Sequence, residues 1–184
     1  MKQFMIMRHC SAEGQEDEAP LTKLGIRQAQ VVATFMEHYP VEVDFILSSP
    51  AKRAINSVVP LAKEEDIDIE TDERLLERHV SAKPLKDMES FLETSFKNYH
   101  VKLEDGESNQ EAMDRVAGLL DELFEEVEED AVPLLVTHGN LFILILNYLG
   151  IEAGFTEWKE LTHPDLYMVT KKDGSFGLSR IWSD

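Results

Sequence analysis

The chain has 184 residues, of which 43% are apolar, and its 36 acidic and 18 basic side chains give a formal net charge of −18. This length fits one compact domain with a substantial core, and the negative charge disfavours nucleic acid or an anionic membrane surface as a partner. No apolar stretch approaches the roughly 20 residues of a membrane helix, and the single cysteine, Cys10, excludes an internal disulfide framework. Because the residues after Met1 also lack a signal-peptide pattern, we expect a cytoplasmic protein.

The predicted elements of the first part of the chain alternate between strands and helices. A strand over residues 3–7 is followed by a helix over residues 22 to about 39, whose apolar side chains recur at helical spacing. The second predicted strand covers residues 43–47. It leads into Ser48-Ser49-Pro50, which predicts a helix with a serine cap and a proline in its first turn. A short third strand is predicted over residues 67–69.

The alternation resumes after residues 72–106, which lack a regular pattern and predict a loop-rich insertion with a helix around residues 88–99. Four further features follow: an amphipathic helix after a capping box at residues 108–111, a buried strand over residues 132–136, an apolar helix over residues 140–149 and a hairpin with its turn at Asp173-Gly174. This order favours an α/β fold, a three-layer α/β/α sandwich with a mainly parallel central sheet, in a single domain over residues 1–184.

Two histidines directly follow predicted strands. His9 comes after Arg8 at the end of the first strand, and His138 follows the strand over residues 132–136. Ligands of open α/β sheets bind beyond the carboxyl ends of the strands, so both histidines can share one crevice. A neutral imidazole is a good nucleophile toward phosphorus, and the arginine fork matches phosphate oxygens. The pattern therefore indicates phosphate chemistry, with a structural histidine bonded to the backbone as the alternative at each position.

Two further side chains could complete such a site. Arg53 lies in the first turn of the helix after the second strand, where backbone N–H groups already favour an anion. Glu77, in the irregular segment, could protonate a phosphoester leaving group, although spacing alone does not single it out among 36 acidic residues. The histidines and Cys10 match no metal-ligand spacing, so no metal site is expected.

The remaining histidines and both tryptophans have structural interpretations. We expect His38, His100 and His163 on the surface or in loops. Trp158 and Trp182 are expected to pack in or against the core. None of these five residues is assigned to the site.

Five short motifs occur in the same order as in the histidine phosphatase superfamily, the phosphoglycerate-mutase-like group. They are Arg8-His9, the PLT..G..QA pattern of residues 19–29, the SP..RA pattern of residues 49–54, Gly106-Glu107-Ser108 with Arg115, and Val136-Thr137-His138-Gly139. Together they extend from residue 4 to about residue 149, so the chain resembles this family over most of its length. The resemblance implies a phosphoglycerate-mutase-like fold and a metal-independent phosphatase that needs no cofactor.

The resemblance also implies roles for individual residues. His9 would accept the phosphoryl group, while Arg8, Arg53 and His138 would hold the phosphate. The segment that contains Glu77 resembles the one that carries the acid in mutases and many phosphatases. The predicted catalytic residues are therefore His9, Glu77 and His138, with Arg8, Arg53 and His138 as phosphate ligands.

Two features depart from the family pattern. Cys10 stands where glycine is usual and places a side chain close to the expected phosphate. Residues 11–18 are short and acidic and lack the asparagine of mutases. In this respect residues 11–18 resemble the corresponding segment of the small phosphohistidine phosphatases, some of which dispense with the acid.

The resemblance implies a small phosphorylated metabolite or a phosphoprotein as the substrate. Three functions stay open: phosphomonoester hydrolysis through a phosphohistidine on His9, protein phosphohistidine phosphatase activity, or non-catalytic phosphate binding on the same fold.

Overall fold

The computed structural model describes residues 1–83 and 85–182. Pro84, in the predicted insertion, and Ser183 and Asp184, at the end of the predicted domain, lie outside the described residues. The elements, in chain order, are β1 (Gln3–Arg8), α1 (Lys23–Glu37), β2 (Phe45–Ser48), α2 (Lys52–Glu64), β3 (Ile69–Thr71), α3 (Met88–Lys97), α4 (Asn109–Glu126), β4 (Pro133–Thr137), α5 (Gly139–Tyr148), α6 (Phe155–Glu160), β5 (Asp165–Lys172) and β6 (Ser175–Arg180). One turn of 3-10 helix covers Glu73–Leu75.

The strands pair in one sheet with the order β3-β2-β4-β1-β5-β6. The pairs among β1 to β4 are parallel, whereas β5 pairs antiparallel with both β1 and β6. In this register Arg8 lies opposite Thr137, and Ser48 lies opposite Val136. The carboxyl ends of β1, β2 and β4 therefore lie side by side, where a ligand site is expected.

Helices cover both faces of the sheet. Successive residues of a strand point to opposite faces. Met5 and Met7 accordingly pack in a buried cluster with residues of α1 and α2, while Phe4 and Ile6 pack in a second cluster with residues of α4 and α5. Strand β4 is buried throughout, as its continuous apolar sequence predicts. The predicted three-layer α/β/α sandwich with a mainly parallel sheet is confirmed.

The start of α2 differs from the prediction. The helix begins at Lys52 with Ala51 as its N-cap residue, and no side chain caps it. The predicted serine cap and the predicted proline in the first turn are both wrong, because the chain turns once more at Pro50 before the helix begins. The hydroxyl of Ser49 instead accepts a hydrogen bond from the backbone N–H of Ala51 and contacts a histidine described below.

Two other elements also depart from the sequence pattern. The third strand lies two residues later than predicted, because Ile67 donates its N–H to the carbonyl oxygen of Ala62 at the end of α2 instead of pairing in the sheet. Helix α6 was not predicted, since six residues are too few to show helical periodicity. Among the described helices, none is both long and apolar enough to cross a membrane.

Candidate active site

His9 lies directly after β1 and is only 3% exposed. Its Nδ1 is 2.7 Å from the carbonyl oxygen of Cys10, and its Nε2 is 3.3 Å from Nε of Arg53. Because a carbonyl only accepts and a guanidinium only donates, these contacts place the proton on Nδ1 and the lone pair on Nε2. Burial lowers the pKa of His9 to about 3, with added lowering from His163, Arg53 and Arg8. The ring is therefore neutral at pH 7.

His138 lies between β4 and α5, and its ring centroid is 5.0 Å from that of His9. Its Nε2 is 2.8 Å from Oγ of Ser49, which explains the serine of the SP..RA motif. Burial lowers the pKa of His138 well below its ordinary value, with further lowering from His9 and Arg53. Two neutral histidines thus face each other at adjacent strand ends.

Arg53 is 1% exposed and lies in the first turn of α2. Its Nη1 donates to the backbone carbonyl of Glu16 at 2.8 Å, so the acidic loop after β1 holds the guanidinium against His9. Burial lowers the pKa of Arg53, an effect that the charges of Glu77, Asp17 and Glu16 oppose. This cation stands at a helix N-terminus, the environment expected for an anion site.

Arg8 lies across the N-terminus of α5. Its Nη1 donates to the carbonyl oxygen of Leu161 at 2.9 Å. A β-carbon at Gly139 would lie 3.1 Å from Cζ, Nε and Nη2 of Arg8. Glycine after His138 is therefore explained by the close approach of this guanidinium to the helix backbone.

Glu77 reaches the same crevice from the loop after the 3-10 turn. Its carboxylate accepts hydrogen bonds from the backbone N–H groups of Arg78, Asn140 and Leu141, each at 2.9 Å. The carboxylate thus lies at the N-terminus of α5, where the helix dipole favours negative charge. Its charge also opposes the lowering of the pKa of Arg8 that burial causes. The structure therefore brings the predicted acid to the predicted phosphate ligands.

Arg115 of α4 holds the chain just before Glu77. Its guanidinium donates to the carbonyl oxygens of Arg74 and Leu76 at 2.6 and 2.8 Å. The same group is paired with the carboxylate of Glu107, with Nε 2.7 Å from Oε1. The glutamate and arginine of the GES…R motif therefore position the segment that carries Glu77.

Arg78 holds the chain just after Glu77 and is 3% exposed. It donates to the carbonyl oxygen of Glu107 at 2.8 Å, to Oγ of Ser95 at 2.8 Å and to Oδ1 of Asn109 at 2.6 Å. These acceptors lie on α3, on α4 and on the turn that precedes α4. Glu77 is thus fixed between two arginine side chains that lie outside the crevice.

The PLT..G..QA motif supports the loop that follows β1. Thr22 caps α1 and donates its N–H to the carbonyl oxygen of Ser11 at 3.0 Å. A β-carbon at Gly25 would lie only 2.0 Å from that same oxygen. Gln28 accepts the N–H of Ser11 at 3.0 Å and donates to the carbonyl oxygen of His163. The motif therefore fixes the loop that leaves the first strand and ties it to a distant part of the chain.

His163 lies in the loop between α6 and β5, which fits the prediction of a surface or loop position, but its side chain faces the crevice. It is half-buried, its ring centroid is 5.0 Å from that of His9, and its Nδ1 donates to the carbonyl oxygen of His9 at 3.0 Å. Burial lowers the pKa of His163, and the charges of Arg8 and Arg53 lower it further. Sequence reasoning missed this residue because no strand end, helix start or family motif precedes it.

Cys10, which stands in place of the family's glycine, is fully buried in the core cluster shared with α1 and α2. Its N–H donates to Oγ of Ser57 at 2.8 Å. Burial raises the pKa of the thiol to about 11, so it stays protonated at pH 7. Its side chain packs as predicted and does not compete with His9 as a nucleophile.

Buried polar atoms without a hydrogen-bond partner cluster at this crevice. Within residues 1–83 and 85–182 they are Nε of Arg8, Nδ1 of His138 and both amide atoms of Asn140. Native structures rarely leave such atoms unpaired, and exceptions mark ligand, ion or water positions. These three residues meet where β1 and β4 end and α5 begins, so a polar ligand or water at this point would give them partners. In the same part of the chain, no three His, Cys, Asp or Glu side chains are arranged to hold a metal ion.

Known proteins share both the sequence pattern and the fold. The probable phosphoglycerate mutase GpmB of Proteus mirabilis is 30% identical over 171 residues, which are 83% of this chain and 77% of that relative. The mycobacterial glucosyl-3-phosphoglycerate phosphatase, solved with inorganic phosphate, is 22% identical with a TM-score of 0.79, over 100% of this chain and 98% of that one. The phosphoserine phosphatase of Entamoeba histolytica is 22% identical with a TM-score of 0.77, over 98% and 96% of the two chains.

The two solved structures show the fold, since their identity to this chain is low. A model of the histidine phosphatase superfamily (branch 1) matches residues 4–182, which is nearly the whole chain. The resemblance carried by the five motifs is therefore confirmed. This chain belongs to branch 1 of the histidine phosphatase superfamily.

Proposed function

We propose that this protein is a metal-independent phosphatase that hydrolyses phosphomonoesters through a phosphohistidine on His9. One observation carries the proposal: His9 is neutral, and its Nδ1 proton bonds to Cys10, so the lone pair is on Nε2. Nε2 lies beside Arg53, and the guanidinium of Arg8 lies at the same strand end. A neutral nucleophile next to fixed cations is what attack on a phosphate anion requires.

In the first step, Nε2 of His9 attacks phosphorus, and the bond from phosphorus to the leaving oxygen breaks. The Nδ1–H group remains bonded to the Cys10 carbonyl and stabilises the positive charge that the ring gains. Arg8 and Arg53 hold the phosphoryl oxygens by charge-assisted hydrogen bonds. His138 contributes from the adjoining strand end, where its unpartnered Nδ1 is buried.

Glu77 protonates the leaving oxygen in this step, so that the substrate departs as an alcohol. In the second step its carboxylate takes a proton from a water molecule. That water attacks phosphorus, the bond to Nε2 breaks, and inorganic phosphate is released. Glu77 lies at the start of α5, next to Asn140 and at the same crevice as the phosphate ligands, which supports its assignment as the group that transfers the proton.

The proposed substrate is a small phosphorylated metabolite in the cytoplasm. The solved relatives are named for such compounds, glucosyl-3-phosphoglycerate and phosphoserine. The alternative, a protein phosphohistidine phosphatase, has less need of Glu77, because a phosphoramidate nitrogen leaves with little help from an acid. Unchanged turnover of phosphoramidate by Glu77→Gln would favour that alternative.

The test is hydrolysis of 4-nitrophenyl phosphate with a chelator present, measured across pH for wild type and His9→Ala. We expect turnover by the wild type and a loss of several orders of magnitude in the variant. Acid-labile, alkali-stable label from a radioactive phosphate ester should appear on the wild type alone. His38→Ala, at an exposed histidine that ends α1, is the matched control. Equal turnover by His9→Ala would refute the mechanism.

A further inference from the structure

The mechanism above gives no role to His163. His163 is half-buried, contacts the ring of His9 and sits within the field of Arg8 and Arg53. Its hydrogen bond to the His9 carbonyl needs only a single N–H donor, so this bond alone does not explain an imidazole here.

The hydrogen bonds of His163 leave one ring nitrogen uncommitted. Nδ1 must carry a proton, since it donates to the carbonyl oxygen of His9 at 3.0 Å. In the neutral ring Nε2 then bears a lone pair and can accept a proton. The ring centroid lies 5.0 Å from that of His9, so the two imidazoles are neighbours in the crevice.

The charged and titratable groups that face His163 come from three elements: Arg8 and His9 at the end of β1, Arg53 of α2 and Asp165 of β5. Asp165 is bonded to Arg180, with 2.8 Å between Oδ1 and Nε, so its charge is largely compensated. The two crevice arginines therefore dominate the field and disfavour a positive charge on the ring. An anion bound between them would reverse this field.

We propose that His163 contacts the phosphate dianion bound in the crevice and takes up a proton from solvent at Nε2 when that dianion binds. The inference rests on the proposed function, because it assumes that the crevice binds phosphate. In the free enzyme, burial and the two arginines lower the pKa of His163. The bound dianion raises that pKa, because an opposite charge stabilises the protonated ring. His163 then acts as a third cation that forms only when the substrate is present.

Proton uptake can be assigned to the protein by using sulfate as the probe, since sulfate stays a dianion from mildly acidic to alkaline pH. Titration calorimetry in two buffers of different ionisation enthalpy gives the number of protons taken up per sulfate bound. We compare wild type with His163→Asn, whose amide nitrogen can replace Nδ1 as the donor to His9. His163→Gln is a second variant whose amide reaches toward the place of Nε2. Neither amide titrates.

We expect wild type to take up about one proton more per sulfate than either variant, and its sulfate affinity to rise by up to about tenfold per unit decrease in pH. His100→Asn makes the same substitution at an exposed histidine and should behave as wild type. Circular dichroism and thermal unfolding establish that each variant is folded.

Equal proton uptake by wild type and the two variants would overturn the inference. Uptake that His163→Asn keeps and His163→Gln loses would also overturn it, since His163 would then only position His9. Turnover of 4-nitrophenyl phosphate that depends on His9, together with equal uptake, would refute this inference alone. Absence of both sulfate binding and turnover in wild type would refute the proposed function with it.

Discussion

On one side of the crevice, which we call the sheet side, Arg8, His9 and His138 lie at the ends of the paired strands β1 and β4, and Arg53 lies in the first turn of α2. On the other side, Glu77 lies in a segment without strand or helix. The residues on the sheet side are fixed by the backbone hydrogen bonds of the sheet and by the buried core, neither of which depends on one side chain. Glu77 is fixed by its own hydrogen bonds to backbone N–H groups and by bonds from distant arginines. We therefore expect changes on the sheet side to affect phosphate binding, and changes around Glu77 to affect proton transfer.

A further contact joins the two sides, in addition to the bonds from the N–H groups of Asn140 and Leu141 to Glu77. Thr137, the last residue of β4, donates its hydroxyl to the carbonyl oxygen of Leu75 at 2.8 Å. Leu75 ends the 3-10 turn, two residues before Glu77. The next residue after Thr137 is His138, so this contact lies directly beside the second histidine of the crevice. The comparison between them can therefore be tested by changing each side separately.

The largest difference is expected for Glu77→Gln. This change should lower kcat for an alkyl phosphate by about 10²–10⁴-fold, because the poor leaving group needs a proton. An aryl phosphate, which leaves readily as an anion, should lose far less. Steady-state kinetics with both substrates checks this, with Glu73→Gln, an exposed carboxylate nearby, as control. Equal losses for both substrates would contradict the assignment of Glu77 as the acid.

On the sheet side, Arg53→Met should lower kcat/KM by about 10²–10³-fold, the typical cost of one preorganised charge donor. The loss should be the same for alkyl and aryl phosphates, because the phosphoryl group is common to both. The same kinetic comparison measures it, and Arg27→Met on the exposed side of α1 is the control. A loss that varied with the leaving group would place Arg53 on the acid side of the reaction.

A smaller effect is expected for Arg115→Met, which touches neither phosphate nor acid. Removing its bonds to Arg74 and Leu76 should let the Glu77 segment shift and lower kcat for the alkyl phosphate by about 10–100-fold. The free energy of unfolding should fall by about 1–3 kcal/mol, since buried carbonyls lose their donor. Denaturant titration and kinetics measure the two effects. A loss of stability with unchanged kcat would mean that the arginine does not position the acid.

The last prediction concerns stability against pH, where the difference tested is the contribution of one histidine. His9, His138 and His163 all have a pKa lowered by burial, so below about pH 6.5 the unfolded chain binds protons that the folded protein does not. The free energy of unfolding should therefore fall with decreasing pH, by up to about 1.4 kcal/mol per pH unit for each histidine.

Urea denaturation at pH 7.5, 6.5 and 5.5 checks this, and His163→Asn should show a shallower pH dependence than wild type. The exposed replacement His100→Asn should retain the wild-type slope. Identical slopes for all three proteins would show that His163 takes up the same number of protons folded and unfolded.

The sheet side could be predicted from the sequence, and the reason is physical. Buried parallel strands have continuous apolar sequences, so the residue after each strand can be located, as for His9 and His138. Their meeting in one crevice follows from the common direction of neighbouring strands. Arg53 was placed correctly in the first turn of its helix, even though the predicted serine cap was wrong.

The other side could not be predicted from pattern alone. Glu77 was nominated only by family resemblance, because its segment has no periodic spacing and depends on bonds from Arg115 and Arg78. His163 was missed because the path of its loop depends on the Gln28 contact far away in sequence. Long-range polar contacts of this kind leave no local signal.

The strand order has a consequence for the folding of the chain during its synthesis. In the sheet, β4 separates β1 from β2, although both precede it in the chain. A nascent chain that ends before residue 133 therefore contains His9 and Arg53 but lacks β4, the strand that lies between the strands preceding these two residues. The proposed phosphoryl transfer therefore requires that β4 has inserted between β1 and β2, and a nascent chain that ends before β4 is expected to be inactive.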